Sequence, residues 1–213
     1  MNDDAERYLE FSKKWDPNDP KHTVLTYINV GEYVLDVGCS YGSFGKRLVE
    51  MGCECDGVEF YQPAIDKAKT ILQTVYQIDL NDAQGLGRIT KQYDVITFLD
   101  VLEHCIDPNK VLSTLNKNLK SSGRIYVSLP NIVNFIDRWL ILRGRFDYQE
   151  YGVMDKTHLR FFTKKTAIQL VRNHFDSVRC VAFTPRHPVL KPVVKFWPTL
   201  FAMQFIIEGR LIE

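Results

Sequence analysis

The sequence predicts an α/β protein with a doubly wound, mostly parallel sheet. Strand-like segments alternate with helix-like segments from Tyr33 to Pro130, a pattern that favours parallel strands joined by right-handed crossovers. The first strand also runs into a turn with glycines at 38, 42 and 45, which is typical of the ligand-binding edge of such sheets. A length of 213 residues with 45% hydrophobic residues suits a single domain, residues 1–213, with a packed core.

The boundary residues define the elements in order. Helices are predicted within residues 1–30, at 5–14 and from Asp19, where Asp19 is the N-cap, Pro20 the first helical residue and Gly31 the stop. Five predicted strands follow: YVLDVG, CECDGVEF, TVYQID, YDVITFLD and GRIYVSLP. The predicted helices between them are SFGKRLVEMG, QPAIDKAKTILQ and, capped by Asp107 and ending before Gly123, DPNKVLSTLNKNLKSSG.

The alternation stops after Pro130. Residues 131–162 form an insertion, followed by the helix TKKTAIQLVRNHF and the strands SVRCVAFTP and LFAMQFIIEGR. Four apolar residues of the insertion have near-helical spacing, which fits either a helix packed on the sheet edge or a lid that closes over a bound substrate. They are Phe135, Trp139, Leu140 and Leu142. Lys191 and Lys195 lie in an apolar segment that fits burial between the last strands or contact with a membrane surface or partner.

The glycine turn is expected to bind a cationic ligand. Asp36 stands just ahead of Gly38, where the phosphates of a dinucleotide would approach, and Ser40 replaces the middle glycine of a dinucleotide fingerprint. A phosphate would be repelled by Asp36 in a partly dry site. S-adenosylmethionine carries a sulfonium and an ammonium and no phosphate, and Gly42 lets the backbone approach it closely.

Three more carboxylates stand at the tips of the next three strands. Glu59 ends the second strand, where an acidic side chain can accept hydrogen bonds from both ribose hydroxyls. Asp79 ends the third strand and is placed to accept from the adenine amino group. Asp100 ends the fourth at the same sheet edge. A carboxylate at four successive strand tips favours a cofactor site over unrelated surface caps.

These motifs resemble the class I S-adenosylmethionine-dependent methyltransferases, in particular the ubiquinone-biosynthesis O-methyltransferase type. The resemblance covers about residues 20–210 and rests on VLDVGCSYG, GVEF, FLDVLEHCIDP, VSLPN and DKTHLRFFT. It implies seven strands, with a reversed last strand that pairs beside the sixth. It also implies that S-adenosylmethionine contacts a set of residues in these motifs, namely Asp36, Gly38, Cys39, Gly42, Glu59, Phe60, Asp79, Leu80, Leu99 and Asp100.

Four residues are candidates for the acceptor side. His104 directly follows the fourth strand and His158 comes from the insertion, so either could serve as the base that an oxygen acceptor usually needs. A structural role for each, in fixing a loop or packing at a strand end, remains the alternative. Asp155 and Arg160 flank His158 and could orient it or bind an anionic acceptor.

Charge and cysteine content limit the partners. Residues 137–195 carry 12 basic and 5 acidic side chains, which fits either a solvated face or a site for an anionic substrate. No basic-aromatic tract indicates nucleic acid, and no apolar run indicates stable membrane insertion. The five cysteines are expected to be buried thiols in a cytoplasmic protein, and no metal site is predicted.

The predicted activity is methyl transfer to a small molecule, at an oxygen of a sugar or an anionic metabolite. Two alternatives remain at this point. One is an NAD-dependent oxidoreductase on a similar sheet, against which Asp36 argues. The other is a non-catalytic cofactor-binding scaffold, against which the retained histidines argue.

Overall fold

The computed structural model describes residues 19–183, 194 and 196–211. The helix predicted at residues 5–14 and the lysines at 191 and 195 lie outside the described residues. The strands are β1 (Tyr33–Val37), β2 (Glu54–Glu59), β3 (Thr74–Gln77), β4 (Tyr93–Leu99), β5 (Leu119–Pro130), β6 (Ser177–Phe183) and β7 (Gln204–Arg210). The helices are α1 (Pro20–Leu25), α2 (Ser43–Glu50), α3 (Gln62–Ala68), α4 (Ala83–Leu86), α5 (Pro108–Asn116), α6 (Phe135–Leu142), α7 (Lys164–Arg172) and α8 (Pro198–Phe201), and a 3-10 turn spans Leu102–His104.

The seven strands form one sheet in the order β3-β2-β1-β4-β5-β7-β6. The pairs from β3 to β5 are parallel, whereas β7 is antiparallel to both β5 and β6. This arrangement confirms the predicted mostly parallel sheet with a reversed last strand. The strand order changes direction between β1 and β4, and in such sheets a crevice for ligands opens at the carboxyl ends of the strands on either side.

Apolar side chains form a buried layer on each face of the sheet. On β1, Leu35 and Val37 belong to one layer and Val34 to the other, following the alternation of a strand. Helices α5 and α7 cover the first face through Leu112 and Val171, while α1, α2 and α3 cover the second. Burial of one such side chain contributes roughly 1.5–3 kcal/mol. The sheet is therefore a rigid support for the loops at its edge.

Several boundaries differ from the sequence predictions; α3, for example, ends at Ala68 and not at Gln73. Helix α1 ends at Leu25, well before Gly31. Helix α5 ends at Asn116, because the buried amide of Asn118 donates to the carbonyls of Ile89 and Lys91 and redirects the chain into β5. The last strand begins at Gln204 because Pro198, at the first helical position, starts the turn of α8.

The two ends of the insertion, residues 131–162, lie next to each other at the edge of the sheet. The backbone N–H of Ile132 donates to the carbonyl of Phe162 at 3.0 Å, so the two ends of residues 131–162 lie side by side. Between them, α6 is capped by Asn134, whose side chain accepts from two helix N–H groups. Several apolar side chains of α6 are exposed, namely Phe135, Ile136, Trp139, Ile141 and Leu142. Within the described residues, no helix has the length and apolar character needed to span a membrane.

Candidate active site

The turn after β1 depends on left-handed backbone conformations. Gly38 and Gly42 have φ of 74° and 77°, and a Cβ on Gly38 would lie 2.4 Å from Val101 Cγ2. Ser40, which replaces the usual glycine, also has a positive φ of 48°. Asp100 at the tip of β4 has φ 59°. Strain of this kind in non-glycine residues concentrates at functional sites, and here it lies on both sides of the crevice.

Glu59 joins the glycine turn to the tip of β2. Its Oε2 accepts from the Ser40 N–H at 3.0 Å, and its Oε1 accepts from the N–H groups of Phe60 and Tyr61 at 2.8 and 2.9 Å. These bonds fix the carboxylate in one orientation. A carboxylate has about four acceptor positions, so Glu59 retains capacity for a hydroxyl donor while its geometry is held by the backbone.

Asp36 is a buried carboxylate beneath the turn. It is 3% exposed and accepts a hydrogen bond from Thr97 Oγ1 at 2.8 Å. Burial raises the pKa of Asp36 to about 6, the Thr97 bond opposes this, and the charge of Glu59 adds to it. An ammonium or sulfonium near Asp36 would compensate for this cost, whereas a phosphate would increase it. The site therefore fits S-adenosylmethionine better than a dinucleotide.

The tip of β3 and the loop after β4 form an apolar recess. Asp79 Oδ1 accepts from the N–H and side-chain amide of Asn81, and Asn81 Oδ1 accepts from the Ile106 N–H at 2.9 Å. Leu80 and Ile106 line a cavity of about 210 Å³ there. Phe60, at the tip of β2, is 66% exposed. An exposed apolar ring and a recess beside a carboxylate suit a flat heterocycle with an amino group.

Three other residues predicted to contact the cofactor have side chains that are buried or already bonded within the protein. Cys39 is buried and packs where a Cβ on Gly57 would meet its sulfur, so only its backbone can face a ligand. Burial raises the pKa of the Cys39 thiol. Leu99 is also buried. Asp100 accepts from Ser128 Oγ at 2.7 Å and from the Gln204 amide, and Lys21 Nζ lies 3.7 Å from its Oδ2.

The returning end of the insertion is fixed to the 3-10 turn. The N–H groups of Leu159 and Arg160 both donate to the carbonyl of Glu103, at 2.8 and 3.0 Å. The Arg160 guanidinium donates through Nε and Nη2 to the Ile106 carbonyl. This two-donor contact shows that the Arg160 side chain holds the loop. Its predicted role in binding an anionic acceptor stays a prediction. Asp155 likewise accepts from the N–H and hydroxyl of Thr157 and shapes its own turn.

His104 and His158 meet beside this contact. Their rings are 4.8 Å apart, edge to face. His104 Nδ1 lies 3.2 Å from the Thr157 carbonyl and His158 Nδ1 lies 3.0 Å from the Val153 carbonyl. A carbonyl only accepts, so each Nδ1 carries the proton and each Nε2 carries a lone pair. Burial and the neighbouring His158 lower the pKa of His104.

Glu103 lies beside His104 and His158, and the sequence analysis did not identify it as a site residue. It is 1% exposed, and among the described residues its Oε2 has no hydrogen-bond partner. Burial and the charge of Asp100 raise the pKa of Glu103 well above its usual value. Ligand atoms of Glu103, His104 and His158 lie within 4.8 Å of one another. The only sequence signal was its position beside His104 after a buried strand, which does not identify its partners.

The sheet order, the glycine turn and the carboxylate-lined edge define the class I S-adenosylmethionine-dependent methyltransferase architecture. Residues 7–174 match the model of a family described as "Methyltransferase domain". The chain therefore belongs to this family, and the predicted class and its cofactor, S-adenosylmethionine, are confirmed. This result disfavours the NAD-dependent alternative.

A relative and two solved structures illustrate the similarity. The chain is 29% identical over 151 residues to the ubiquinone biosynthesis O-methyltransferase of Coxiella burnetii, covering 62% of this chain and 64% of that protein. It thus spans less than two thirds of that relative's length. A SAM-dependent methyltransferase from Archaeoglobus fulgidus shares the fold with TM-score 0.67 and 19% identity, covering 88% of this chain and 90% of that one.

The second structure is magnesium protoporphyrin IX methyltransferase from Synechocystis PCC 6803 with bound SAH. Its TM-score is 0.62 at 16% identity, and the match covers 90% of this chain and 79% of that one. At these identities both structures show the fold alone.

Proposed function

We propose that this protein transfers the methyl group of S-adenosylmethionine to a hydroxyl oxygen of a small molecule, in the class of sugars or anionic metabolites. The observation that carries the proposal is the buried Asp36 under a glycine turn whose backbone is tied to Glu59. The name of the curated relative, an O-methyltransferase, favours oxygen as the acceptor atom.

Residues at the sheet edge would hold the cofactor. Glu59 is oriented to accept from the ribose hydroxyls, and Asp36 to compensate the positive charges. Leu80 lines the recess that suits adenine, and Asp79, whose Oδ1 accepts from the Asn81 N–H, directly precedes Leu80 in the chain. Phe60 offers an exposed ring at the tip of β2. The backbone of the glycine turn can approach the ligand closely because Gly38 and Gly42 lack side chains.

The bound cofactor supplies a methyl group already activated by a sulfonium. The protein then mainly needs to align the acceptor oxygen with that methyl and exclude water, and alignment alone can give a large acceleration. His104 and His158 present Nε2 lone pairs at the end of β4. Either lone pair can take up the acceptor hydroxyl's proton or hold its oxygen.

The insertion at 131–162 would cover the acceptor. Both of its ends lie at the carboxyl edge of the sheet, and its returning end is bonded to the Glu103 carbonyl. Exposed apolar side chains on α6 leave a surface that could close over an acceptor's apolar side. These contacts support a lid more than a helix packed on the sheet edge.

An activity assay tests the proposal. The protein is incubated with S-adenosylmethionine and a panel of hydroxylated sugars, phenols and acids, and S-adenosylhomocysteine formation is measured. We expect turnover with a hydroxylated acceptor, strong impairment in His158→Ala, and unchanged turnover in the distant His174→Gln. Equal turnover in wild type and His158→Ala would remove the acceptor-side part of the proposal.

A further inference from the structure

We infer that Glu103, His104 and His158 form a binding site for a divalent cation. Their ligand atoms lie within 4.8 Å of one another, although the residues come from two separate parts of the chain. One carboxylate with two imidazoles is a set that binds first-row cations such as Mn²⁺ or Zn²⁺. This departs from the expectation of no metal site, which considered the cysteines and treated the two histidines as bases or as structural residues.

The unpartnered oxygen of Glu103 is the first argument. A buried acceptor without a partner costs about 1–3 kcal/mol, and more when it is charged. Glu103 is 1% exposed, and its Oε2 has no hydrogen-bond partner within the described part of the chain. The carboxyl also feels the negative charge of Asp100. A cation bound at Oε2 would supply the missing partner and offset this repulsion.

The orientation of the two histidines is the second argument. Metal-binding histidines usually donate their other ring N–H to a carbonyl or carboxylate, which fixes the tautomer. His158 Nδ1 is bonded to the Val153 carbonyl, and His104 Nδ1 to the Thr157 carbonyl. Thr157 Oγ1 also lies 3.1 Å from His104 Nδ1 and donates to Asp155. Both Nε2 atoms are therefore left with lone pairs for a ligand.

The backbone holds the three ligands together before any ion binds. The N–H groups of Leu159 and Arg160 bond to the Glu103 carbonyl, so the segment carrying His158 is fixed beside the turn carrying the other two. Bonds to such a cation are about 2.0–2.2 Å long. The ligand atoms then need to close by roughly an ångström, which side-chain rotation provides.

Three protein ligands leave coordination positions open, as in catalytic metal sites. On the proposed function, one open position would take the acceptor's hydroxyl, and the cation would lower the pKa of that hydroxyl. The proton is released to water. The acceptor oxygen forms the new C–O bond with its lone pair, and the electron pair of the broken C–S bond stays on sulfur. With the cation bound, His104 and His158 are its ligands, and this role replaces the role as base proposed above for the metal-free histidines.

Direct binding measurements test the site without needing an acceptor. The protein is stripped with a chelator and titrated with Mn²⁺, followed by electron paramagnetic resonance, and with S-adenosylhomocysteine, followed by calorimetry. We expect wild type to bind one Mn²⁺ and Glu103→Gln and His158→Gln to bind it about tenfold more weakly or worse. Glu50→Gln and His174→Gln, which change the same residue types elsewhere, should bind Mn²⁺ like wild type.

The S-adenosylhomocysteine titration separates this inference from the proposed function. Glu103→Gln keeps the size of a buried side chain and is expected to fold; His158→Gln provides an independent test if it does not. Cofactor binding without site-specific Mn²⁺ binding would overturn the metal site and leave the proposed function standing. Equal Mn²⁺ affinity in wild type and both variants would also overturn it. If wild type does not bind S-adenosylhomocysteine, this result would instead contradict the proposed function.

Discussion

At the residue scale, the two carboxylates Asp36 and Glu59 differ in how well the fold compensates their negative charge. Glu59 is half-buried and accepts from three backbone N–H groups, so its charge is well supported by the fold. Asp36 is buried with one hydroxyl donor, and burial raises the pKa of Asp36 to about 6. Glu59 is therefore suited to accept hydrogen bonds from a neutral diol, and Asp36 is suited to bind a positive charge.

Because of the raised pKa of Asp36, the difference in the free energy of unfolding between Asp36→Asn and wild type should depend on pH. The folded-state pKa of Asp36 is about 6, above the unfolded value of about 3.9. The charged form thus destabilises the folded state, fully above about pH 6 and not at all below about pH 4. We expect the variant to be about 3 kcal/mol more stable than wild type at about pH 7.5, with little difference at about pH 4.

Urea denaturation without cofactor measures this effect. The exposed carboxylate Asp66, changed to Asn, is the matched control and should show no such pH dependence. A stability difference for Asp36→Asn that is the same at both pH values would contradict the assignment of a raised pKa to this carboxyl.

The second prediction concerns Glu59→Gln. The neutral side chain cannot accept the same bonds from the turn and from ribose hydroxyls, so S-adenosylhomocysteine should bind about 1–3 kcal/mol more weakly. Glu54→Gln, at the other end of β2 and exposed, is the control. Calorimetry on both variants is the measurement, and equal affinity in the two would show that the ribose is held elsewhere.

At the element scale, the contact between the insertion and the loop after β4 is the feature that organises the acceptor side. Arg160 donates two hydrogen bonds to the Ile106 carbonyl, while its own N–H bonds to the Glu103 carbonyl. The recess near Leu80 also includes Ile106. One arginine therefore connects the acceptor side with the recess that suits adenine.

We therefore expect Arg160→Ala to loosen both regions. Amide hydrogen exchange should accelerate in the peptides containing residues 102–107 and 153–162, because the bidentate anchor is lost. Arg160→Lys should restore only part of the protection, since an ammonium lacks the planar fork. Arg145→Ala, which removes an exposed ion pair with Asp147, is the control. Unchanged exchange in Arg160→Ala would mean that the backbone bonds alone hold the insertion.

The strands were predictable because local signals mark them. Largely apolar runs marked β1, β4 and β5, and glycine or proline stands at the ends of β1 and β5. The carboxylates at the tips of β1 and β4 followed from the parallel order. The proximity of Glu103 and His158 depends on a contact between segments that are distant in the chain, which periodicity does not encode. The same holds for the contact of Arg160 with the Ile106 carbonyl, because the charge of the side chain does not indicate a backbone partner.

At the scale of the whole molecule, the candidate ligand site and a buried network that stabilises the fold lie at opposite ends of the sheet. The glycine turn and the acidic strand tips lie at the carboxyl ends. At the amino end, Arg124 is 6% exposed and bonds to Glu32, the Tyr126 hydroxyl and the Tyr27 carbonyl. This network ties the segment after α1 to β5 and has no direct part in the candidate site.

Arg124→Gln should therefore destabilise the fold without changing ligand affinity. Removing one partner of this partly buried ion pair leaves Glu32 uncompensated, and we expect a loss of about 2–3 kcal/mol in the free energy of unfolding. The exposed Arg172→Gln is the control. Denaturant unfolding and S-adenosylhomocysteine calorimetry on the same samples give both values. A large loss of affinity in the folded variant would contradict the separation of the two ends.

The most direct test of the whole account is a calorimetric titration of the wild-type protein with S-adenosylhomocysteine and, separately, with NAD. The carboxylate beneath the glycine turn and the carboxylate at the tip of β2 require a ligand with ribose hydroxyls and a positive charge but no phosphate. We predict saturable binding of S-adenosylhomocysteine and no heat from NAD. Tight binding of NAD with no response to S-adenosylhomocysteine would contradict the account.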